Sequence, residues 1–200
     1  VVIGAGNVGY NAAWIAAGML ANVTILDKNL DRLRHIDQIC VGRTTTLASN
    51  RGSIERALVD ADLVVGAVLV AGARAPIVVS EDMVRSMKPG SVIVDVAVDQ
   101  GGCIATTHET THADPIYMQH GVVHYAVGNM PGAVPYTSTY SLTNATLPYQ
   151  IDVARHGARN AIAQSEALRL GLNTAHGHVT NEAVARELNF DFVEPTTALS

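Results

Sequence analysis

The sequence is short of cysteine, aromatic side chains and charge, and each shortage excludes a class of protein. Its 2 cysteines, Cys40 and Cys103, supply no disulfide framework and no CxxC pair, and they read as reduced, partly buried thiols. Such thiols fit an intracellular, cytoplasmic compartment. Charged residues are only 16% of the chain, and 13 Lys+Arg against 18 Asp+Glu leave a formal charge of −5. No basic stripe remains for nucleic acid, and no polybasic segment for a membrane surface. No apolar run approaches the ~18 residues of a transmembrane helix. The longest, Leu63 to Val70, has a strand's length. Internal repeats and low-complexity tracts are also missing. With 48% of 200 residues hydrophobic, the chain builds a substantial core, which excludes disorder and fibrous repeats. Val1 lies inside an apolar run with no initiator Met, so an upstream segment is expected.

Short β-branched runs alternate with longer mixed segments. Strands are expected at Val1 to Ile3, Val23 to Leu26, Leu63 to Val70, Val92 to Val98 and Val122 to Val127. All are apolar on both faces, as in a parallel sheet covered by helices on each side. Helices are expected at Tyr10 to Leu20, Asp31 to Ile39, Ile54 to Val59 and Glu81 to Met87. Repeated β-α-β units with short links predict a doubly wound α/β domain over residues 1–129. Beyond Asn129 the pattern changes. Thr137 to Asn144 is dense in hydroxyls, and Pro148 would kink or restart a helix there. A helix is expected over Ile151 to Leu170 with Gly171 as its C-cap, and another over Asn181 to Leu188 behind a Thr180 cap. Residues 130–200 therefore read as C-terminal helices that add no strand. They either cover the first domain or complete a second.

The strongest local signal is Gly4-Ala5-Gly6-Asn7-Val8-Gly9, directly after a strand and opening a helix. Gly4 permits the tight turn, Gly6 lets backbone approach a pyrophosphate, and Gly9 allows close helix–strand packing. The second strand ends in Asp27, 18 residues after Gly9, where a carboxylate accepts both ribose hydroxyls of an adenosine. An acid there repels a 2′-phosphate, favouring NAD over NADP. Arg32 either touches the adenosine ribose or phosphate or pairs with Asp27 or Asp31. Asp99, at the carboxyl end of the fourth expected strand, either projects toward a nicotinamide or caps a turn.

Four stretches, VVIGAGNVGYNAA, ADLVVGAVLVAGARAP, MKPGSVIVDVAVDQGG and GNMPGAVPYTSTYSLTNATLPY, resemble the alanine dehydrogenase family, and the likeness runs almost end to end. The resemblance implies a Rossmann-type sheet followed by C-terminal helices of a catalytic domain. It also implies reversible conversion of L-alanine, NAD and water to pyruvate, ammonia and NADH. By position, Asp99 becomes a catalytic proton donor or acceptor. Gly4, Gly6, Asn7 and Gly9 would meet the pyrophosphate, and Asp27, Arg32 and Ser49 the adenosine half. Val68 and Leu69 would flank the cofactor. Val96, Ala97, Val98 and Asp99, with Val127, Gly128, Asn129 and Met130, would line the nicotinamide side. The family is usually hexameric, so a homo-oligomer is implied. Its substrate-binding Arg and Lys and its catalytic His come from an N-terminal half without counterpart here, so these 200 residues alone are expected not to turn over alanine.

One departure is visible. Family members carry Arg a few residues beyond the Gly-Gly-Cys, where this chain has His108. Either that contact is lost or His108 replaces it with a shorter, titrating group. Asp152 and His156, at i and i+4, share a helix face. The resemblance places an acid and a His there beside Mg2+, while the residues alone also fit a solvated face, and two ligands leave a site incomplete. The remaining histidines show no metal spacing. Two rivals stand beside this reading. One is the NAD-binding part of a proton-translocating nicotinamide nucleotide transhydrogenase, against which the Asp99-Gln100 pair speaks. The other is a nucleotide-binding protein without chemistry.

Overall fold

The computed structural model describes residues 1–70 and 73–199. The chain falls into two compact units, Val1–Val70 with Arg74–Met130, and a second containing residues 131–199. The first is a seven-stranded sheet. Its strands are β1 (Val2–Ile3), β2 (Val23–Asp27), β3 (Thr44–Ala48), β4 (Leu63–Gly66), β5 (Val92–Asp95), β6 (Ile116–Gln119) and β7 (Val122–Tyr125). Their order is β3-β2-β1-β4-β5-β7-β6, all parallel except β6, which pairs antiparallel with β7. The order reverses between β1 and β4, where an open α/β sheet leaves a crevice beyond its carboxyl ends.

Successive strand residues point to opposite faces, and both faces are apolar. Val2, Val23 and Ile25 pack with Leu33 and Ile36 of α2 (Leu30–Cys40) and with Ala13 and Ala17 of α1 (Asn7–Gly18). Ile3, Leu26, Val64 and Ile93 enter the other face with Ile54 and Leu58 of α3 (Arg51–Val59) and Met83 and Val84 of α4 (Glu81–Arg85). Helices on both sides make the sheet doubly wound, and each fully buried aliphatic side chain contributes about 1.5–3 kcal/mol.

Two strands escape a search for apolar runs. β3 reads Thr-Thr-Thr-Leu-Ala and only Thr44 is buried, since it lies at one edge of the sheet. β6 lies at the other edge, alternating exposed and half-buried residues. β4 ends at Gly66 and β5 at Asp95, both earlier than their apolar runs. Asp95 ends the ladder because its carboxylate captures the N–H of Ala97.

In the second unit, α5 runs Pro135–Gln164, straight through the hydroxyl-rich segment and Pro148. The hydroxyls of Ser138, Thr143 and Thr146 donate to the carbonyls of Val134, Thr139 and Leu142, one turn back, so they do not compete for the helix's N–H groups. Non-helical backbone occurs instead at Gly157, with φ 74° and ψ 156°. The helix expected through Leu170 is thus interrupted there and again at Ser165, whose side chain caps α6 (Glu166–Gly171). A hairpin follows, β8 (Thr174–Ala175) and β9 (His178–Val179), turned by His176 and Gly177, both at positive φ. α7 (Glu182–Leu188) is capped by Asn181 rather than by Thr180, whose hydroxyl donates to Leu172 O, and α8 (Pro195–Ala198) closes the unit.

Candidate functional site

The glycine turn between β1 and α1 has three glycines under three different constraints. Gly4 sits at φ +102°, and a Cβ there would lie 2.5 Å from Ala67 O. A Cβ on Gly9 would lie 1.7 Å from Gly4 O, so helix and strand approach as closely as backbone allows. At Gly6 the nearest atom is Arg32 Nη1 at 4.0 Å. Packing therefore does not require glycine at position 6; the missing side chain leaves open space before the helix. α2, α3 and α4 of the same unit receive side-chain caps, whereas α1, with Gly6 at its N-cap position, has none. Its first-turn N–H groups face that space, and Asn7 is exposed beside it.

Asp27 ends β2 with its side chain 11% exposed. Oδ2 accepts from Ala5 N at 2.6 Å and Oδ1 from Asn29 N at 2.7 Å, so each oxygen retains a lone pair. Arg32 Nη1 lies 3.8 Å from Oδ2, its side chain 57% exposed. One guanidinium thus reaches both the carboxylate and the open face of Gly6. Ser49 is half-buried, and its N–H donates to Asp27 O. An open crib lined by N–H groups, beside a carboxylate with spare acceptor capacity, fits a dinucleotide with its diphosphate at the helix and a ribose at Asp27.

Val68 and Leu69 follow β4, Val96 to Asp99 follow β5, and Val127 to Met130 follow β7, so these residues share the carboxyl edge with the glycine turn. Their side chains differ in what they offer. Ala97, Val98 and Val127 are buried in the protein and expose little beyond backbone, while Leu69 and Asn129 are exposed. Asp99 is exposed in a 3-10 turn, Val98–Gln100, followed by Gly101 and Gly102, both at positive φ. Asn129 is also at positive φ, and its carbonyl accepts from His112 Nε2 at 3.1 Å. Glu109 lies over Gly128, where a Cβ would overlap its carboxylate.

A family model described as "Alanine dehydrogenase/PNT, C-terminal domain" matches residues 1–182. The chain belongs to this family. It is 57% identical over 199 residues, 99% of its length and 53% of the relative's, to an alanine dehydrogenase of Bacillus subtilis (strain 168). It is 55% identical, with the same coverage, to one of Staphylococcus haemolyticus (strain JCSC1435). A solved L-alanine dehydrogenase superposes with TM-score 0.83 at 47% identity, covering 94% of this chain and 52% of that one. A transhydrogenase from Sinorhizobium meliloti gives TM-score 0.59 at 27% identity, covering 66% of this chain and 37% of that one. The chain spans about half the length of the curated relatives it matches.

Reading this member of the alanine dehydrogenase/PNT family by sequence misses one residue of the edge. Asp95 is fully buried, and its position inside the run Val92 to Val98 gives it the look of a strand interior. Its carboxylate accepts from Ala97 N, Cys103 N, Cys103 Sγ, Ile104 N and Thr107 Oγ1. Burial and then the Asp95 charge push the Cys103 thiol up to about 12, so it stays protonated and unreactive. His108 stacks on Tyr117 at 3.9 Å between ring centroids, and Tyr117 on His124 at 4.9 Å. His124 is buried; its Nδ1–H donates to Val122 O, leaving Nε2 to accept from the Thr106 hydroxyl. Desolvation lowers its pKa and holds it neutral. Asp152 and His156 are both exposed on α5, and no group of three or more His, Cys, Asp or Glu suited to a metal occurs among the described residues.

Proposed function

We propose that this chain is the nucleotide-binding half of an NAD-dependent alanine dehydrogenase, interconverting L-alanine with pyruvate and ammonia. The observation that carries this reading is identity of 57% across 99% of the chain to a protein named alanine dehydrogenase. The diphosphate meets the first-turn N–H groups of α1 across the open face of Gly6, with Gly4 and Gly9 fixing the turn and Asn7 alongside. Asp27 accepts the adenosine ribose hydroxyls with its remaining lone pairs, and its charge disfavours a 2′-phosphate. Arg32 and Ser49 support that half. Val68, Leu69, Val96, Ala97, Val98, Val127, Gly128, Asn129 and Met130 form the nicotinamide side.

NAD, when bound, supplies the acceptor for the hydride leaving the alanine Cα. Asp99 takes a proton from the water that adds to the resulting iminium carbon. It returns that proton to nitrogen, and as the C–N bond breaks to release ammonia the carbinolamine hydroxyl gives its proton to the Asp99 carboxylate, leaving the pyruvate carbonyl. The groups that bind the substrate carboxylate belong to the remainder of the full-length protein, and this chain alone does not turn over. Asp152 and His156, one turn apart on α5, would hold a Mg2+ ion if one is bound there. The assembled enzyme is a cytoplasmic homo-oligomer, a hexamer.

The test is Asp99→Asn in the full-length protein, read as pyruvate- and ammonia-dependent NADH oxidation. Turnover falls about 100-fold or more while NADH affinity stays within about twofold. Undiminished turnover overturns the role given to Asp99. Hydride exchange between NADH and an NADP analogue without an amino acid would shift the assignment to the transhydrogenase branch.

A further inference from the structure

The loop that carries Asp99 is held by Asp95. We propose that Asp95 is a positioning residue of the active site, a buried carboxylate clamp that sets where Asp99 stands; this rests on the proton role given to Asp99 above. Asp95 is the last residue of β5, the end of a rigid element, and Asp99 lies four residues further on. Between Asp95 and Thr107 the chain has a single 3-10 turn of three residues. It also has two consecutive glycines at positive φ, so little regular structure fixes its path. Backbone bonds join Gln100, Cys103 and Ala105 to residues 75–79, and one side chain joins the loop to β5. Oδ1 accepts from Ala97 N at 3.1 Å on the way out, and from Cys103 Sγ at 3.5 Å on the way back. Oδ2 accepts from Cys103 N at 2.9 Å, Ile104 N at 3.2 Å and Thr107 Oγ1 at 2.6 Å. The carboxylate therefore ties both ends of the Asp99 loop to the tip of β5.

The surroundings are shaped around this clamp. A Cβ on Gly66 would lie 2.7 Å from Cys103 Sγ and 3.4 Å from Asp95 Oδ1, and one on Gly102 would lie 3.0 Å from Asp95 Oδ2. Glycines on the neighbouring strand and in the loop thus leave the room the carboxylate occupies. Among the described residues no Lys, Arg or His forms an ion pair with Asp95. A fully buried carboxylate without a cation is costly unless its lone pairs are filled, and here N–H, O–H and S–H donors fill them. Packing alone would be served by an aliphatic residue, which would leave those donors unpaired. An acceptor-only group that collects donors from both limbs of the loop serves the geometry of Asp99.

The test compares Asp95→Asn, Thr107→Val, Thr107→Ser and Asp99→Asn in the full-length protein, each with turnover, NADH dissociation constant and melting midpoint. Asp95→Asn lowers kcat about tenfold or more with NADH affinity within about twofold, because a misplaced catalytic group loses rate before the cofactor loses contacts. Thr107→Val lowers kcat about threefold or more, and Thr107→Ser, which keeps the hydroxyl, restores it. If Asp95→Asn does not fold, the Thr107 pair decides: loss in valine with rescue in serine supports the clamp, and wild-type turnover in valine overturns it. Parallel losses of kcat and NADH affinity in Asp95→Asn also overturn it, since they mark a general loosening of the edge. An inactive Asp99→Asn beside fully active Asp95→Asn and Thr107→Val overturns this proposal alone. Full activity in Asp99→Asn overturns the role of Asp99 and this proposal with it.

Discussion

Among the described residues, Ile3, Ile25, Leu26, Ile36, Leu58, Ile93 and Ile104 are fully buried, and all lie before residue 131. Residues 131–199 bury only Ala161, Ile162, Ala185 and Ala198 among their hydrophobic residues, while Tyr136, Tyr140, Leu147 and Ile151 along α5 stay exposed. The difference lies in architecture. A sheet covered on both faces buries most of its inner-strand residues, whereas a long helix interrupted at Gly157 fills no comparable interior. Stability of this chain is therefore concentrated in the sheet unit.

Changes in both units would break or sharpen that contrast. In urea unfolding of this chain, Ile93→Ala costs about 4 kcal/mol, the range for a large-to-small change in a closed core. A loss below about 1 kcal/mol would place the stabilising core elsewhere. Gly9→Ala costs about 3 kcal/mol, because its Cβ meets the Gly4 carbonyl rather than a yielding side chain. Gly6→Ala changes stability by less than about 0.5 kcal/mol and weakens dinucleotide binding, measured by NADH titration. Comparable unfolding penalties at the two glycines would contradict the open crib.

Acidification acts through one buried group. The His124 pKa is lowered in the fold, so the unfolded chain takes up the proton first. Stability is full above about 6.5, the ordinary histidine value, and falls as pH drops below it toward the folded pKa. His124→Gln flattens that slope, and an unchanged slope would assign it to another group. The smallest effect is expected from Tyr140→Ala, within about 0.5 kcal/mol of the parent. A loss near 2 kcal/mol would reveal a core in the C-terminal unit.

What the sequence makes legible follows from the same contrast. Apolar runs announce the inner strands β1, β2, β4, β5 and β7 because both faces of each are buried. The edge strands β3 and β6 carry hydroxyls or alternate, and signal no run. The glycine turn and Asp27 are legible because backbone approach restricts the residue types allowed there. Asp95 is not, since a lone acid in a valine-rich segment gives no sign that five donors converge on it. The course of α5 is hidden for a local reason. Its Thr and Ser side chains can cap turns or bond back along a helix, and only the folded chain shows which.

Asp27 joins two tasks that could have been separate. The carboxylate proposed to hold the ribose also accepts the N–H of Ala5, inside the glycine turn, and that of Asn29, which caps α2. Altering nucleotide preference at this position therefore disturbs the phosphate crib and the entry to the next helix at once. An evolutionary path toward another cofactor would need a substitute acceptor for Ala5 in place before Asp27 could change. Shared wiring of this kind makes the residue resistant to drift, whatever the selection on cofactor choice.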